Sequence, residues 1–519
     1  MTVVIEETLK SLPRLLSRGD WTGARHMAAD ALRAAPGHPD LNAFAAFIAL
    51  RMDDRDSAID YARTAAKAGN TSPRATAQAA NILAQLRLFD KALKAARALD
   101  LQTVRDPVVL DQAGAAFTAC EAHEEAEHAY RLLVALAPGN PQCLFNLAAA
   151  QRFTGKSDEA ACNFDQVIAA QPGRGEAWYA RALIRKATPS DNRVDRIRKV
   201  LSQGKALPGM ERASLAFALG KELEDIGRYD EAFEAWGIGA RLMRELRPYS
   251  PSSEIQAIDE TVRQWAGAKQ TRKDAGLAPV FIVSLPRSGS TLVDRILSSH
   301  PSVTSLGETE DFIVSLLGAP EMAGAHDAVT LARKTAEVDI EKVGQRYREA
   351  LLKRGHKTGV VIDKTPTNFL YAGLIAEALP EARIIHVTRD PRDSAIATYK
   401  TLFRDRYFWS YDIGHIADYV VAKTRLTEHW CTNWPERMVT LSYEDLVAST
   451  EAEARRLVAA IGLEWNAACL DFAANRTAVS TASADQVRQP VYDSSVGYWK
   501  NFEHHLEPAI EIFTAAGLV

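Results

Sequence analysis

Three cations stand where short apolar runs end. Arg287 follows PVFIVSLP, Lys364 follows VVID, and Arg389 follows ARIIHVT. Apolar runs of this kind suit buried parallel strands, and open α/β sheets bind ligands outside the carboxyl ends of their strands. Three cations brought to one crevice imply a polyanion with more than one phosphate-like group, since guanidinium and ammonium groups pair with such oxygens. Arg287 lies in PRSGST, a small-residue loop between a strand and a helix. Such a loop aims backbone N–H groups at the positive end of a helix and so forms an anion site, although an ordinary strand–helix turn has the same look. His300 and His386 are candidate bases, but His386 falls inside an apolar run and is expected to be packed or hydrogen-bonded. The GxxxxGK[ST] loop is absent, because Arg287 precedes Gly289 and no lysine follows. With no clear metal-binding aspartate either, a kinase or other NTPase is disfavoured and no metal is expected.

The elements that must position these residues follow from the pattern. Strands are expected at Val280–Val283, at a run ending in Asp363-Lys364, at Ile384–Thr388, and at MVTLSYEDLV up to Tyr443. Pro286 to Ser290 make the turn and Thr291 to Ser299 the helix, which His300-Pro301 stops. The aromatic and basic stretch between Lys400 and Tyr419 is expected to pack a helix against the sheet rather than to line an acceptor site.

The first half has another period. Ala24, Ala58, Ala92, Ala126 and Ala160 recur every 34 residues, and Gly19, Asp53, Arg87, Glu121 and Gly155 hold the corner in the same register. Pro36, Asn70, Val104, Pro138 and Pro172 mark the repeat boundaries. A small residue lets two antiparallel helices approach, and a breaker turns the chain. These units resemble the tetratricopeptide repeat, a helix–turn–helix stacked into a solenoid. The register breaks at ATPSDNRVD and returns at DIGRYDEAF, so about seven hairpins are expected, the sixth irregular. The expected organisation is an all-α solenoid over 1–249, a helical linker over 250–278, and an α/β domain with a central parallel sheet over 279–519.

Composition narrows the class further. The chain has 519 residues, of which 47% are hydrophobic, enough for several cores. Its 62 basic and 66 acidic residues leave a formal charge of −4, which argues against a nucleic-acid partner while permitting a local basic pocket. Five scattered cysteines with no CxxC pair read as thiols in a reducing compartment, with neither a disulfide frame nor a zinc site. The N-terminal stretch has no basic segment leading into an apolar one, and no apolar run reaches membrane-spanning length. A cytoplasmic protein without membrane insertion is the expectation.

Taken together, PRSGST and RDPRDSAIAT resemble the 5′-phosphosulfate loop and the 3′-phosphate strand–helix element of the sulfotransferase superfamily. The likeness is to its tyrosylprotein branch and to bacterial members that carry tetratricopeptide repeats, and it implies a P-loop-like sulfotransferase domain. It also implies transfer of a sulfuryl group from 3′-phosphoadenosine 5′-phosphosulfate to a hydroxyl of a protein tyrosine, a glycan or a small molecule, without a metal. By resemblance Arg287, Ser288, Gly289, Ser290 and Thr291 hold the phosphosulfate, Arg389 faces the 3′-phosphate, and Tyr443 lies beside the nucleotide. Ser483, Gln486, Val487 and Arg488 fall on a loop that closes over the cofactor. Glu308 takes the position of the catalytic glutamate, with Arg287 and Lys364 as catalytic cations. Two positions depart from the pattern: Ala397 stands where a serine is usual, and Tyr498 where a lysine is, with Lys500 able to restore the charge. Ser394 and Thr398 are the neighbours that could compensate for Ala397. Those departures support an alternative, a repeat-based interaction scaffold with a degenerate nucleotide-binding domain. In either reading the repeats are expected to hold a protein or peptide partner.

Overall fold

The computed structural model of the chain describes residues 2–265, 277–356, 358–472 and 494–519. It separates into two compact units, Met1–Ile184 and Arg185–Val519.

The first unit is built from the 34-residue hairpins that the alanine period requires. Their leading helices, Pro39–Arg51, Pro73–Gln85, Pro107–Ala119 and Pro141–Phe153, each begin on a proline, again 34 residues apart. Proline at the first helical position supplies the right φ and lacks only an N–H that would be unpaired there anyway. The corner residues Gly19, Asp53, Arg87, Glu121 and Gly155 all adopt positive φ, between 59° and 82°. After each corner the next N–H reaches back to the carbonyl five residues earlier, as in Leu88 to Leu83 (2.8 Å) and Lys156 to Gln151 (2.9 Å). That is the bond that closes a helix through a left-handed residue. The five in-phase alanines are each 0% exposed, so every one sits where two helices touch.

The compact units part earlier than residue 249. Gly175–Ile184 ends the first, while Val194–Leu201 and the hairpin Gly209–Asp225 with Tyr229–Leu246 belong to the second. This hairpin keeps the repeat's geometry, with Gly227 at φ 78° and Ala232 fully buried. Its outer face carries aromatic rings that bind it to the sheet domain: Phe233 stacks on Tyr399 at 5.0 Å and Trp236 meets Phe502 at 5.7 Å. The stretch expected to be a linker contains the helix Pro251–Gln264, which packs on helices Ala328–Thr335 and Ile413–Asn433.

The sheet has five parallel strands: β1 (Leu277–Val283), β2 (Val303–Ser305), β3 (Gly359–Asp363), β4 (Arg383–Thr388) and β5 (Met438–Ser442), in the order β2-β3-β1-β4-β5. β1 lies at the centre, pairing Val280 with Ile362 on one side and Ile282 with Ile385 on the other. Val280 to Val283 are at most 1% exposed, as a strand covered on both faces must be. Ile385 and Val387 of β4 join Val293 and Ile296 of the helix Ser290–Ser298 and Leu457 in one core. The chain leaves β1 for β2 and β3 on one side and then crosses to β4 on the other, so the order reverses above the end of β1, where a crevice forms. β2 was not expected; three residues carry too little pattern to be read before their partner is known. No helix among the described residues is long and apolar enough to cross a membrane.

Left-handed backbone costs a residue with a Cβ roughly 1 kcal/mol, which gives a signed test of the repeat corner. Gly155→Ala should lower stability by roughly that amount, whereas Arg87→Gly should raise it. Urea midpoints of the two variants moving in the same direction would contradict the corner assignment.

Candidate active site

The loop after β1 is shaped by two left-handed residues, Arg287 (φ 64°) and Gly289 (φ 93°), and Gly289 caps the helix Ser290–Ser298. Only glycine fits at 289, because a Cβ there would come within 2.4 Å of Tyr443 Cδ2. Ser288, Ser290 and Thr291 are buried beneath the loop. Successive N–H groups in such a turn, set on the positive end of a helix, form an anion cradle. Arg389, just beyond β4, closes the cradle's other side. Its Nη1 donates to the Arg287 carbonyl (2.8 Å), its Nη2 to the Ser495 carbonyl (2.6 Å), and its guanidinium lies 5.0 Å over the Tyr443 ring. Its Nε is buried and has no hydrogen-bond partner among the described residues. A guanidinium carries no acceptor and five donors, so the orphaned N–H fits an incoming anion.

Lys364 and Glu308 meet across the sheet. The β2–β3 ladder runs on past the strands, with Leu306 N–H donating to Ile362 and Lys364 N–H to Gly307 (both 2.9 Å). That extension brings the two side chains together, and Lys364 Nζ donates to Glu308 Oε1 at 2.7 Å. Lys364 is 1% exposed, so its ammonium depends on the carboxylates around it. Asp294, from the helix Ser290–Ser298, is one of them: burial pushes its carboxyl up while Lys364 draws it down. Asp363 anchors the strand end from below, accepting hydrogen bonds from Thr365 (2.7 Å), Thr309 (3.0 Å), Asn368 (3.3 Å) and Tyr347 (3.4 Å).

Glu308 also opens onto a cavity of about 420 Å³, whose walls include Thr365, Tyr407, Trp409 and Tyr419. Trp409 and Tyr419 stack at 4.3 Å. The 400–419 stretch therefore does more than pack: it buries Trp409 and Tyr411 and also walls this cavity. The carboxylate thus lies between the buried Lys364 ammonium and an aromatic chamber.

Asp393, Glu224 and Lys400 hold the surroundings of the cradle in roles not assigned to them from the sequence. Asp393, the second aspartate of RDPRDS, is fully buried and accepts from Gly497 N–H (2.7 Å) and Trp499 N–H (2.8 Å). It lies one helical turn before Ala397, so the helix face expected to present a serine holds down the 494–502 segment instead. Ser394 and Thr398 are both buried, and Ser394 lines a cavity of about 380 Å³ together with Ser288 and Arg389. Glu224, from the hairpin helix Gly209–Asp225, and Lys400 complete the set. Glu224 Oε1 accepts from Lys400 Nζ (2.5 Å) and from the Tyr498 hydroxyl (2.8 Å), and Lys400 lies 4.5 Å over the Tyr498 ring. Arg287 is near enough for its charge to act on Lys400. Lys500 is exposed, and the ammonium at Tyr498 comes from the half-buried Lys400. A carboxylate 176 residues from its lysine leaves no local sequence signal, whereas Asp393 could have been found from its i, i+4 relation to Ala397.

His386 is buried with its Nε2 2.5 Å from Lys423 Nζ, and burial holds its pKa well below the usual histidine range. His300 is tied to the Glu464 carbonyl at 3.0 Å and accepts from Ser302 N–H at 3.1 Å. Ser483, Gln486, Val487 and Arg488 lie outside the described residues.

Burial pushes the Glu224 carboxyl up, but Lys400 and Lys221 outweigh it and hold the group below its ordinary 4.5. The stabilisation it contributes is then present above about pH 4.5 and lost as the pH falls below it. Glu224→Gln should cost on the order of 1–3 kcal/mol at neutral pH, since it leaves a half-buried ammonium without its carboxylate, and should flatten the acid limb of the stability profile. Chemical denaturation between pH 3 and 7, on both proteins, checks this. Equal stabilities at pH 7 would contradict it.

Residues 279–467 match the profile of the Sulfotransferase family. The chain is 29% identical over 370 residues to a protein of Aquifex aeolicus, covering 69% of this chain and 48% of that one. It is 25% identical over 234 residues to protein-tyrosine sulfotransferase 1 of Danio rerio, covering 42% of this chain and 65% of the relative. Over 126 residues it is 32% identical to an omega-hydroxy-beta-dihydromenaquinone-9 sulfotransferase of Mycobacterium bovis, covering 23% and 32% respectively. The chain thus spans about half to two-thirds of the length of the first two of these relatives.

Proposed function

We propose that this chain, whose residues 279–467 form a sulfotransferase-family domain, moves a sulfuryl group from 3′-phosphoadenosine 5′-phosphosulfate to a hydroxyl of an acceptor. The observation that carries the reading is the Lys364–Glu308 pair, 2.7 Å apart, with Lys364 near enough to Asp294 on the helix after the cradle loop for their charges to interact. One group of the pair can stabilise a leaving phosphate and the other can deprotonate an attacking hydroxyl.

In this reading the loop 287–291 and Arg389 hold the two phosphate ends of the nucleotide, and Tyr443 takes its place beside it. The acceptor oxygen attacks sulfur, and the bond from sulfur to the 5′-phosphate oxygen breaks with its electron pair leaving on adenosine 3′,5′-bisphosphate. The acceptor proton passes to Glu308. By analogy with phosphoryl transfer the transition state is loose, so positioning and charge stabilisation supply most of the acceleration. Lys364 and Arg287 neutralise the charge that grows on the bridging oxygen. The Lys364–Glu308 ion pair has a second use: when Lys364 turns toward the nucleotide, the Glu308 carboxylate is freed to take the acceptor's proton. The acceptor remains a hydroxyl of a protein tyrosine, a glycan or a small molecule; the relative named as a protein-tyrosine sulfotransferase supports a protein, with the repeats recruiting it.

Ala397 and Tyr498 favour a second reading, a scaffold whose nucleotide site has decayed. Lys400 over Tyr498, within the influence of Arg287, supports a working cationic site instead.

Glu308→Gln should lower turnover by roughly 10²–10⁴-fold while adenosine 3′,5′-bisphosphate affinity stays within a few-fold of wild type. Gly289→Ala should do the reverse and lose affinity first. Transfer from a radiolabelled donor and titration calorimetry measure the two quantities. Absence of bisphosphate binding by the wild-type protein would overturn the proposal.

A further inference from the structure

The chamber beside Glu308 has an unusual balance of charge for a site that adjoins a cationic crevice. Its lining holds the carboxylates Glu254, Glu308, Glu310 and Asp405 against a single guanidinium, Arg406. Arg406 is already committed to acids of the same wall, with Nη2 at 3.2 Å from Glu310 and Nη1 at 3.7 Å from Glu308. Asp405 is answered from elsewhere, by Arg247 at 3.0 Å. Glu254 is different. It is half-buried on the helix Pro251–Gln264, the phenol of Tyr249 is the neighbour that acts on it, and no cation pairs with it among the described residues. A carboxylate withdrawn from water without a cation is costly, and a ligand that brings a cation removes that cost.

The rest of the wall is aromatic. Trp409 and Tyr419 stack face to face and are nearly buried behind the lining, where Tyr371 and Tyr407 stand half-exposed. Faces of this kind accept a planar ring and also attract a cation held above them. We infer that the acceptor is a phenol or other aryl alcohol that carries a positive charge, its ring against the half-exposed Tyr371 and Tyr407 of this wall, its hydroxyl at Glu308 and its cation at Glu254. An acidic acceptor would instead bring its charge into a wall that already holds four carboxylates. The inference rests on the sulfuryl-transfer reading and adds the acceptor's class to it. The balance is the same: the aryl oxygen bonds to sulfur, its proton goes to Glu308, and adenosine 3′,5′-bisphosphate departs.

Either a small phenolic amine or a tyrosine beside basic residues has this chemistry, and one set of rates separates them. Transfer from labelled donor is measured to tyramine, 4-ethylphenol and 3-(4-hydroxyphenyl)propionate, and to tyrosine pentapeptides flanked by lysine or by aspartate. The expected order of kcat/KM is amine above neutral above carboxylate, with at least ten-fold between the ends, and lysine-flanked above aspartate-flanked peptide. The larger of the tyramine and lysine-peptide values identifies the source. Glu254→Gln should bring the tyramine to 4-ethylphenol ratio close to one, a change that a general loss of folding does not produce. A carboxylate acceptor used as well as the amine, or a ratio that Glu254→Gln leaves unmoved, overturns the inference. So does a protein that binds adenosine 3′,5′-bisphosphate yet sulfates none of these acceptors. Failure to bind the bisphosphate at all would instead remove the sulfuryl-transfer reading beneath it.

Discussion

The buried ammonium of Lys364 is the constraint around which the site is arranged. At 1% exposure it needs carboxylates near it, and the structure supplies Glu308 by hydrogen bond and Asp294 through space. Each comes from a different element: Lys364 from the end of β3, Glu308 from the turn after β2, Asp294 from the helix that follows the cradle loop. Holding them together requires the parallel register of β1, β2 and β3 and the two ladder bonds that run beyond the strands. The same arrangement gives the site its two sides. The ammonium stands on one side of the carboxylate, and on the other the carboxylate lines an aromatic chamber.

A second constraint comes from the helical hairpin of residues 209–246. Glu224 reaches from it to Lys400 and Tyr498, and Tyr498 begins the short turn that follows Ser495 and Gly497. Ser495 in turn accepts from Arg389, and Gly497 and Trp499 donate to Asp393. A repeat-like element has therefore become part of the sheet domain's compact unit, and a single carboxylate links it to the cradle. The aromatic contacts of Phe233 and Trp236 make that attachment apolar as well as ionic.

Much of this was legible in the residues. The 34-residue period predicted the hairpins because close helix contacts demand alanine and tight corners demand left-handed backbone; both constraints act locally and repeat. The strands around Val280, Ile362 and Ile385 were legible because strands covered on both faces are uniformly apolar. Lys364 was legible from its place at a strand's end and Glu308 from the family resemblance, and the sheet brings them into contact. What stayed hidden depends on long-range pairing. β2 is three residues long and exists only against β3. Glu224 lies 176 residues from its lysine. The acidic character of the chamber joins residues 254, 308, 310 and 405, which no window of sequence shows together. The boundary placed at 249 moved for the same reason, since the hairpin's local pattern is that of a repeat while its outer aromatics belong to the sheet domain.

The account's central claim is that Glu308 acts in the chemical step and the cradle in binding. A rapid-quench single turnover tests this most directly, with enzyme in excess over labelled donor and acceptor saturating. The account predicts that Glu308→Gln binds the donor fully and transfers its sulfuryl group at a rate constant lower by roughly 10²–10⁴-fold. A wild-type rate constant in that variant would contradict it.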